Sequence, residues 1–76
     1  MSVIVYSTRT CPYCDLVKRF LSSNNIDFED IDVSSDKNAA EEMMAKSGQM
    51  GVPVIDINGR IIVGFDEREI RSLLNI

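Results

Sequence analysis

The chain alternates between short runs of β-branched apolar residues and longer segments whose apolar residues recur at helical spacing. Residues 2–6 contain Val-Ile-Val-Tyr and predict a buried strand. The next segment has Pro12 at its start and predicts a helix that frays near Asn24. Residues 26–33 (IDFEDIDV) predict a second strand. Their four acidic side chains suit an exposed sheet edge, where charge discourages pairing with another strand.

The second half of the chain predicts a helix, a hairpin and a last helix. In residues 34–48, Ser and Asp supply caps at the start and Gly48 ends the helix. The dipeptide Asn58-Gly59 between two apolar runs is a strong signal for a β-hairpin. The Asp-x-x-Glu pattern that starts at Asp66 is a capping box and opens the last helix.

The predicted order of elements is therefore β-α-β-α-β-β-α. The first two strands are joined through a helix, so we expect them to be parallel with a right-handed crossover. The hairpin adds an antiparallel pair. These expectations define an α/β fold with a four-stranded mixed sheet flanked by three helices. A length of 76 residues suits one small domain over residues 1–76.

Composition narrows the class of protein. Hydrophobic residues make up 45% and charged residues 26%, as in ordinary soluble domains. The net charge of −4 argues against general affinity for nucleic acid or anionic membrane. The first ten residues lack the features of a signal peptide or a membrane span, so we expect a cytoplasmic protein. Paired cysteines in that compartment are more often catalytic or metal-binding than structural.

The segment TCPYCDL, residues 10–16, contains both cysteines of the chain. Cys11 precedes Pro12 at the predicted start of a helix, where unpaired N–H groups and the helix dipole stabilise an anion. The thiolate is the nucleophilic form of cysteine. Cys14 lies one helical turn further on, within reach of Cys11 but more sheltered. This pattern predicts that Cys11 attacks a substrate disulfide and that Cys14 then resolves the mixed disulfide.

A metal site is the main alternative for these two thiols. Structural zinc takes four ligands, and the chain has no His and no third Cys. A closed Cys/His zinc site within one chain is therefore excluded, whereas a site completed by carboxylates or by a second subunit stays open. The position of C-x-x-C beside a β-α-β pattern favours the redox interpretation, with no metal bound.

Two longer segments resemble a known family. Residues 6–21 (YSTRTCPYCDLVKRFL) resemble the active-site segment of the glutaredoxins, with the family's Pro-Tyr dipeptide between the cysteines. Residues 51–67 (GVPVIDINGRIIVGFDE) resemble its later landmarks, and SGQMGVP and VGFD are similar to short bacterial and archaeal members. The resemblance covers essentially the whole chain. It implies a thioredoxin fold and a cis peptide bond between Val52 and Pro53.

The resemblance also implies a groove beside the cysteines. The backbone of Val52 would pair with a substrate peptide like an added strand. The backbone N–H groups at the start of the last helix would suit a carboxylate of glutathione. By position, the residues of this groove are Arg9, Pro12, Tyr13, Gln49, Val52, Pro53, Gly64, Phe65 and Asp66.

Three positions depart from the family pattern. Members that use glutathione often carry Lys or Arg three residues before the first cysteine, where this chain has Thr8. The family's Thr before Val-Pro is Gly51, and the first Gly of its Gly-Gly turn is Val63. These changes remove a charge and a hydroxyl and add apolar bulk, which bears on glutathione affinity rather than on disulfide chemistry.

The function implied by the resemblance is a glutathione-dependent dithiol–disulfide oxidoreductase. It would need no bound cofactor and would take its electrons from glutathione. Its partners would be glutathione and disulfide-containing proteins, among them ribonucleotide, peroxide or sulfoxide reductase systems, and it would act as a monomer. Two alternatives stay open: a redoxin reduced by thioredoxin reductase, and a module that holds a [2Fe–2S] cluster between two protomers.

Overall fold

A computed structural model describes residues 2–76 of the chain. The elements follow the predicted order β-α-β-α-β-β-α, which confirms the α/β class. They are β1 (Val3–Ser7), α1 (Pro12–Ser23), β2 (Glu29–Asp32), α2 (Lys37–Ser47), β3 (Val54–Ile57), β4 (Arg60–Val63) and α3 (Glu67–Leu74). None of these helices within residues 2–76 is long and apolar enough to cross a membrane.

The four strands form one mixed sheet in the order β2-β1-β3-β4. The pairing of β1 with β2 is parallel and places Val5 opposite Asp30. The pairings of β1 with β3 and of β3 with β4 are antiparallel. The acidic strand β2 lies at one edge of the sheet, as predicted from its charges. The other edge is β4.

The second strand is shorter than the predicted range of 26–33. Asn25 has a left-handed backbone (φ 59°), and the N–H of Ile26 donates to the carbonyl of Leu21 at 2.9 Å. These residues complete the end of α1, so they are not available to pair with β1. Strand pairing begins only at Glu29.

The second helix is also shorter than the predicted range of 34–48. Asp32 accepts hydrogen bonds from the N–H and hydroxyl of Ser34, which bends the chain after β2. The helix N-cap is Asp36, whose Oδ1 accepts from the N–H of Ala39 at 3.0 Å. Gly48 ends the helix in the left-handed region (φ 74°), as predicted.

The hairpin turn lies where the sequence predicts it. Asn58 (φ 52°) and Gly59 (φ 90°) both have positive φ, as a tight two-residue hairpin turn with right-handed strand twist requires. The carboxylate of Asp56 adds support by accepting from the N–H of Gly59 at 2.8 Å.

The sheet separates two groups of buried apolar side chains. One group lies under α1 and α3 and includes Val5, Leu21, Ile55 and Ile70. The other lies under α2 and is formed by Tyr6, Met43 and Val54. Each helix thus buries its apolar stripe against one face of the sheet, as an amphipathic helix must.

A polar network joins α2 to the sheet on the second face. The ammonium of Lys46 donates to the hydroxyl of Tyr6 and to the Oδ2 of Asp56, both at 2.7 Å. The same ammonium lies 3.3 Å from a carboxylate oxygen of Glu42. Tyr6 and Asp56 are buried, so these bonds satisfy polar atoms that are largely shielded from water.

Candidate active site

Cys11 is the N-cap residue of α1. Its backbone is extended (φ −105°, ψ 107°), and its Sγ accepts a hydrogen bond from the N–H of Cys14 at 3.2 Å. Pro12 occupies the first position of the helix. The Cys11 thiol is partly exposed and lies 3.8 Å from the carbonyl oxygen of Val52, to which it can donate. The first thiol therefore stands at a positive helix end and meets solvent.

Cys14 has a different environment, because its side chain is 0% exposed. Burial is the main cause that raises the pKa of this thiol to about 12, and the neighbouring Cys11 raises it further. The backbone N–H of Thr8 and the charge of Lys18 act in the opposite direction. Both cysteines are free thiols in this structure. Cys14 is therefore a sheltered, protonated thiol at neutral pH.

The Val52–Pro53 segment forms the wall of the site opposite α1. Its peptide bond is cis, as the resemblance implies. Pro53 is buried, and its carbonyl accepts from the N–H of Gly64 at 2.8 Å. This bond ties the wall to the turn before α3, so Cys11, Val52 and Gly64 belong to one continuous region.

Gln49 uses its side chain inside its own loop. Its Nε2 donates to the Oγ of Ser47 at 3.2 Å and to the carbonyl of Gly51 at 3.0 Å, while its Oε1 accepts from the N–H of Gly51. A Cβ on residue 51 would lie 2.6 Å from that Oε1, closer than real contacts allow. Glycine at 51 therefore permits this folded loop.

Three exposed apolar side chains lie in the loop before Val52, at the end of β4 and in the first turn of α1. Tyr13 is 63% exposed, Met50 60% and Val63 52%. We refer to these three residues as the apolar rim. Tyr13 lies two residues after Cys11, and Met50 lies two residues before Val52, whose carbonyl is 3.8 Å from the Cys11 Sγ.

The turn into α3 places two of the predicted groove residues in structural roles. Asp66 is the N-cap of α3, and its Oδ1 accepts from the N–H of Glu69 at 3.1 Å. Phe65 is half-buried, and its ring packs against Phe20 with a centroid distance of 5.9 Å. Their backbone N–H groups still lie at the start of a helix, where a carboxylate is favoured.

Arg9 forms an ion pair at the end of β2. Its Nε lies 3.3 Å from the Oδ2 of Asp32 at the end of β2, and its side chain is 86% exposed. The pair lies at the surface, so it contributes little to folding. The groove role of Arg9 stays a prediction.

Sequence reasoning missed a charged group beside the buried thiol. The ammonium of Lys18 donates to Asp30 Oδ2 at 3.0 Å, and the hydroxyl of Ser7 donates to Asp30 Oδ1 at 2.7 Å. One signal was available, because Lys18 follows Cys14 by four residues on a predicted helix and such residues are neighbours.

Within residues 2–76, no three His, Cys, Asp or Glu side chains are grouped so as to hold a metal ion.

Comparisons with known proteins identify the family of the chain. The glutaredoxin family model matches residues 3–62. An uncharacterised glutaredoxin-like 8.6 kDa protein in a rubredoxin operon of Clostridium pasteurianum is 53% identical over 70 residues, which cover 92% of this chain and 93% of that protein.

Solved structures show the same architecture. The glutaredoxin of Archaeoglobus fulgidus superposes with a TM-score of 0.90 at 28% identity, covering 99% of this chain and 87% of that one. The glutaredoxin-like protein NrdH-redoxin of Escherichia coli, described as having a thioredoxin-like activity profile, gives 0.87 at 30% identity, covering 96% and 95%. With the strand order β2-β1-β3-β4, these similarities confirm the thioredoxin fold.

Proposed function

Because the chain belongs to the glutaredoxin family of thiol–disulfide oxidoreductases, we propose that it reduces disulfides by a dithiol mechanism in which Cys11 attacks and Cys14 resolves. The observation that carries this assignment is the contrast between the two thiols. Cys11 is accessible at the N-terminus of α1, whereas Cys14 is buried with a pKa raised to about 12. Only an accessible thiol can meet the disulfide of another protein.

The reaction proceeds in two exchanges. The Cys11 thiolate attacks one sulfur of the substrate disulfide, a Cys11–substrate disulfide forms, and the other substrate sulfur leaves as a thiolate that takes a proton from water. Cys14 then gives its proton to water and attacks the Cys11 sulfur, and the second substrate sulfur leaves. The substrate gains two electrons, and the cysteines become a disulfide.

The mixed disulfide itself favours the second exchange. In the dithiol state, the hydrogen bond and charge of Cys11 help to raise the pKa of Cys14. Once the Cys11 sulfur is bonded to substrate, it carries no negative charge. Cys14 therefore ionises more readily when its attack is needed.

The wall at Val52 gives a substrate peptide a place beside the nucleophile. The Val52 carbonyl lies 3.8 Å from the Cys11 sulfur. A chain that pairs with this backbone as an added strand would pass directly over that sulfur. We propose disulfide-containing proteins as its partners, including ribonucleotide, peroxide or sulfoxide reductase systems. We also propose that the protein acts as a monomer in the cytoplasm.

Glutathione is the electron donor that we propose for returning the disulfide to the dithiol. Support comes from the family match and from the backbone N–H groups at the start of α3, which favour a carboxylate. No bound cofactor is required, because the exchange uses only sulfur atoms.

A thioredoxin reductase is the second candidate donor. The loop at 49–51 and the exposed side chain of Val63 favour it. Gln49 engages its amide within this loop, Gly51 lacks the family's hydroxyl, and Val63 adds an exposed apolar side chain. A surface of this kind suits a protein partner better than a charged tripeptide. A thioredoxin-like activity profile is likewise ascribed to the NrdH-redoxin of Escherichia coli, whose structure this chain shares.

The roles of the cysteines can be tested with two serine variants and a peptide disulfide. Cys14→Ser is expected to accumulate a mixed disulfide on Cys11, because the resolving thiol is missing. Cys11→Ser is expected to form none at neutral pH. Mass spectrometry of the unreduced proteins gives the result, and equal trapping on both variants would refute the assignment.

The donor can be identified by offering the oxidised protein reduced glutathione or, in parallel, NADPH with thioredoxin reductase. Free thiols are titrated over time. Efficient reduction by glutathione supports the first donor, whereas reduction by the reductase alone establishes the second.

A further inference from the structure

The second exchange requires the buried Cys14 thiol to ionise, and burial opposes ionisation. Cys14 must become a thiolate to attack, yet its side chain is 0% exposed, so water cannot solvate the anion. The N–H of Thr8 is one group that stabilises the charge. The thiolate needs further compensation from within the protein.

Lys18 provides a positive charge on the same helix. It follows Cys14 by four residues, which places the two side chains on the same face of α1. Cys11 is seven residues away and lies at the cap. The lysine is thus closer along the helix to the resolving thiol than to the nucleophile.

The ammonium of Lys18 is held in place across the gap between α1 and β2. It donates to Asp30 Oδ2 at 3.0 Å, and Asp30 in turn accepts from the hydroxyl of Ser7 at 2.7 Å. Ser7 is 2% exposed, and the Lys18 side chain is only 26% exposed. The hydrogen bond to Asp30 is the main cause that raises the pKa of Lys18, so the charge persists at neutral pH.

A small cleft lies beside this group of side chains. It has a volume of about 180 Å³ and is lined by Ser7, Thr8, Arg9, Lys18, Asp30 and Asp32. Thr8 supplies both a wall of the cleft and the N–H that faces Cys14. The other charges nearby are Asp15 on α1 and the Arg9–Asp32 pair, whose members largely compensate each other.

We propose that Lys18 is a positioning residue for the second exchange, in which its ammonium, fixed by Asp30 and Ser7, stabilises the Cys14 thiolate as it attacks the mixed disulfide. This inference rests on the proposed dithiol mechanism. In the step it assists, the Cys14 proton passes to water and the Cys14–Cys11 bond forms. The Cys11–substrate bond breaks, and its electron pair leaves on the substrate sulfur.

The test separates the two exchanges in a single turnover. The substrate is a disulfide between a peptide and a fluorescent thiol, so that attack releases one half and resolution releases the other. Lys18→Met should slow the second release roughly three- to tenfold at neutral pH, a modest effect because the charge is partly solvated. The rise of this rate with pH should move to higher pH, and the first release should keep its rate.

Two matched variants serve as controls. Arg19→Met removes a positive charge from the neighbouring exposed position of α1 and should change neither release. Lys18→Arg keeps the charge and should restore most of the second rate. Added salt should shrink the difference between the parent protein and Lys18→Met, because screening weakens a partly exposed charge.

Equal second rates for the parent and a folded Lys18→Met variant would overturn the inference, as would an equal slowing of both releases. The proposed mechanism has a separate criterion, which is trapping of the mixed disulfide on Cys14→Ser. The inference about Lys18 can therefore fail while the mechanism stands.

Discussion

Burial distinguishes two cysteines that the sequence places only three positions apart. The N-cap position leaves Cys11 partly exposed to solvent, whereas Cys14, one turn further along α1, is fully buried. A thiol with a pKa of about 12 is almost entirely protonated at neutral pH. The proposed roles of Cys11 as nucleophile and Cys14 as resolving thiol thus follow from one turn of helix.

This contrast predicts selective alkylation of the reduced protein. Iodoacetamide should label Cys11 at neutral pH and leave Cys14 unmodified, and labelling of Cys14 should rise about tenfold per pH unit as its thiolate fraction grows below its pKa. Peptide mapping by mass spectrometry gives the result. Unfolded protein is the control, since both thiols should then react alike. Equal labelling in the folded state would contradict the assignment.

A substitution at Gly51 is expected to shift the preference between glutathione and thioredoxin reductase as electron donors. Gly51→Thr should displace the Gln49 amide, because the new Cβ would lie 2.6 Å from its Oε1. The substitution restores the family's hydroxyl, so we expect faster reduction by glutathione. Steady-state reduction rates with each donor provide the measurement. Gln49→Ala serves as a comparison that frees the loop without adding the hydroxyl. A rate with glutathione that does not change in Gly51→Thr would argue against this loop as the determinant.

At the scale of elements, local signals predicted most of the fold. Proline at the start of α1, Gly48 after α2 and the Asn58-Gly59 turn each act within a few residues, so sequence alone revealed them. The predicted start of β2 at residue 26 was wrong, because the N–H of Ile26 donates to the carbonyl of Leu21 at the end of α1. The predicted active-site cysteines likewise came from a local motif.

Contacts between distant segments could not be predicted in the same way. The Lys18–Asp30 pair depends on the parallel register that places Asp30 opposite Val5. The Lys46–Asp56 pair depends on how α2 packs across the sheet. Such contacts follow from tertiary packing, which leaves no periodic pattern in the sequence.

The bond between Lys46 of α2 and Asp56 of β3 leads to a prediction about the free energy of unfolding. Lys46→Met should lower the free energy of unfolding by about 2 kcal/mol, less than for a fully buried pair, because Lys46 is partly solvated. Asp56 would lose its partner while remaining buried. Chemical denaturation measures the effect. Lys37→Met, an exposed position on the same helix, should cost nothing comparable.

The same pair predicts a dependence on pH. Burial opposes ionisation of Asp56, but hydrogen bonds from Lys46 and the Gly59 N–H outweigh it, so the pKa is lowered on folding. The stabilisation is present above the unfolded pKa of about 4 and is lost as pH falls through the folded value. The difference between the parent and Lys46→Met should therefore shrink at acidic pH. A difference that is constant from neutral to acidic pH would contradict the role of this carboxylate.

At the scale of the whole molecule, the sheet separates the helix that carries the cysteines from the polar network of Lys46. The thiols and Lys18 belong to α1 and the loop before it, while the Lys46 network lies on the opposite face beneath α2. The apolar rim of Tyr13, Met50 and Val63 stays exposed on a protein whose net charge is −4. We propose that partners are recognised mainly by apolar contact and by backbone pairing at Val52, beside Cys11.

The most direct test of the central claim, that Cys11 and Cys14 form a redox couple, is to oxidise the protein and count its free thiols by alkylation and mass spectrometry. We expect both thiols to disappear together into a disulfide within one chain, and to return on reduction. Thiols that remain free under oxidation, or a disulfide that only links two chains, would contradict the claim.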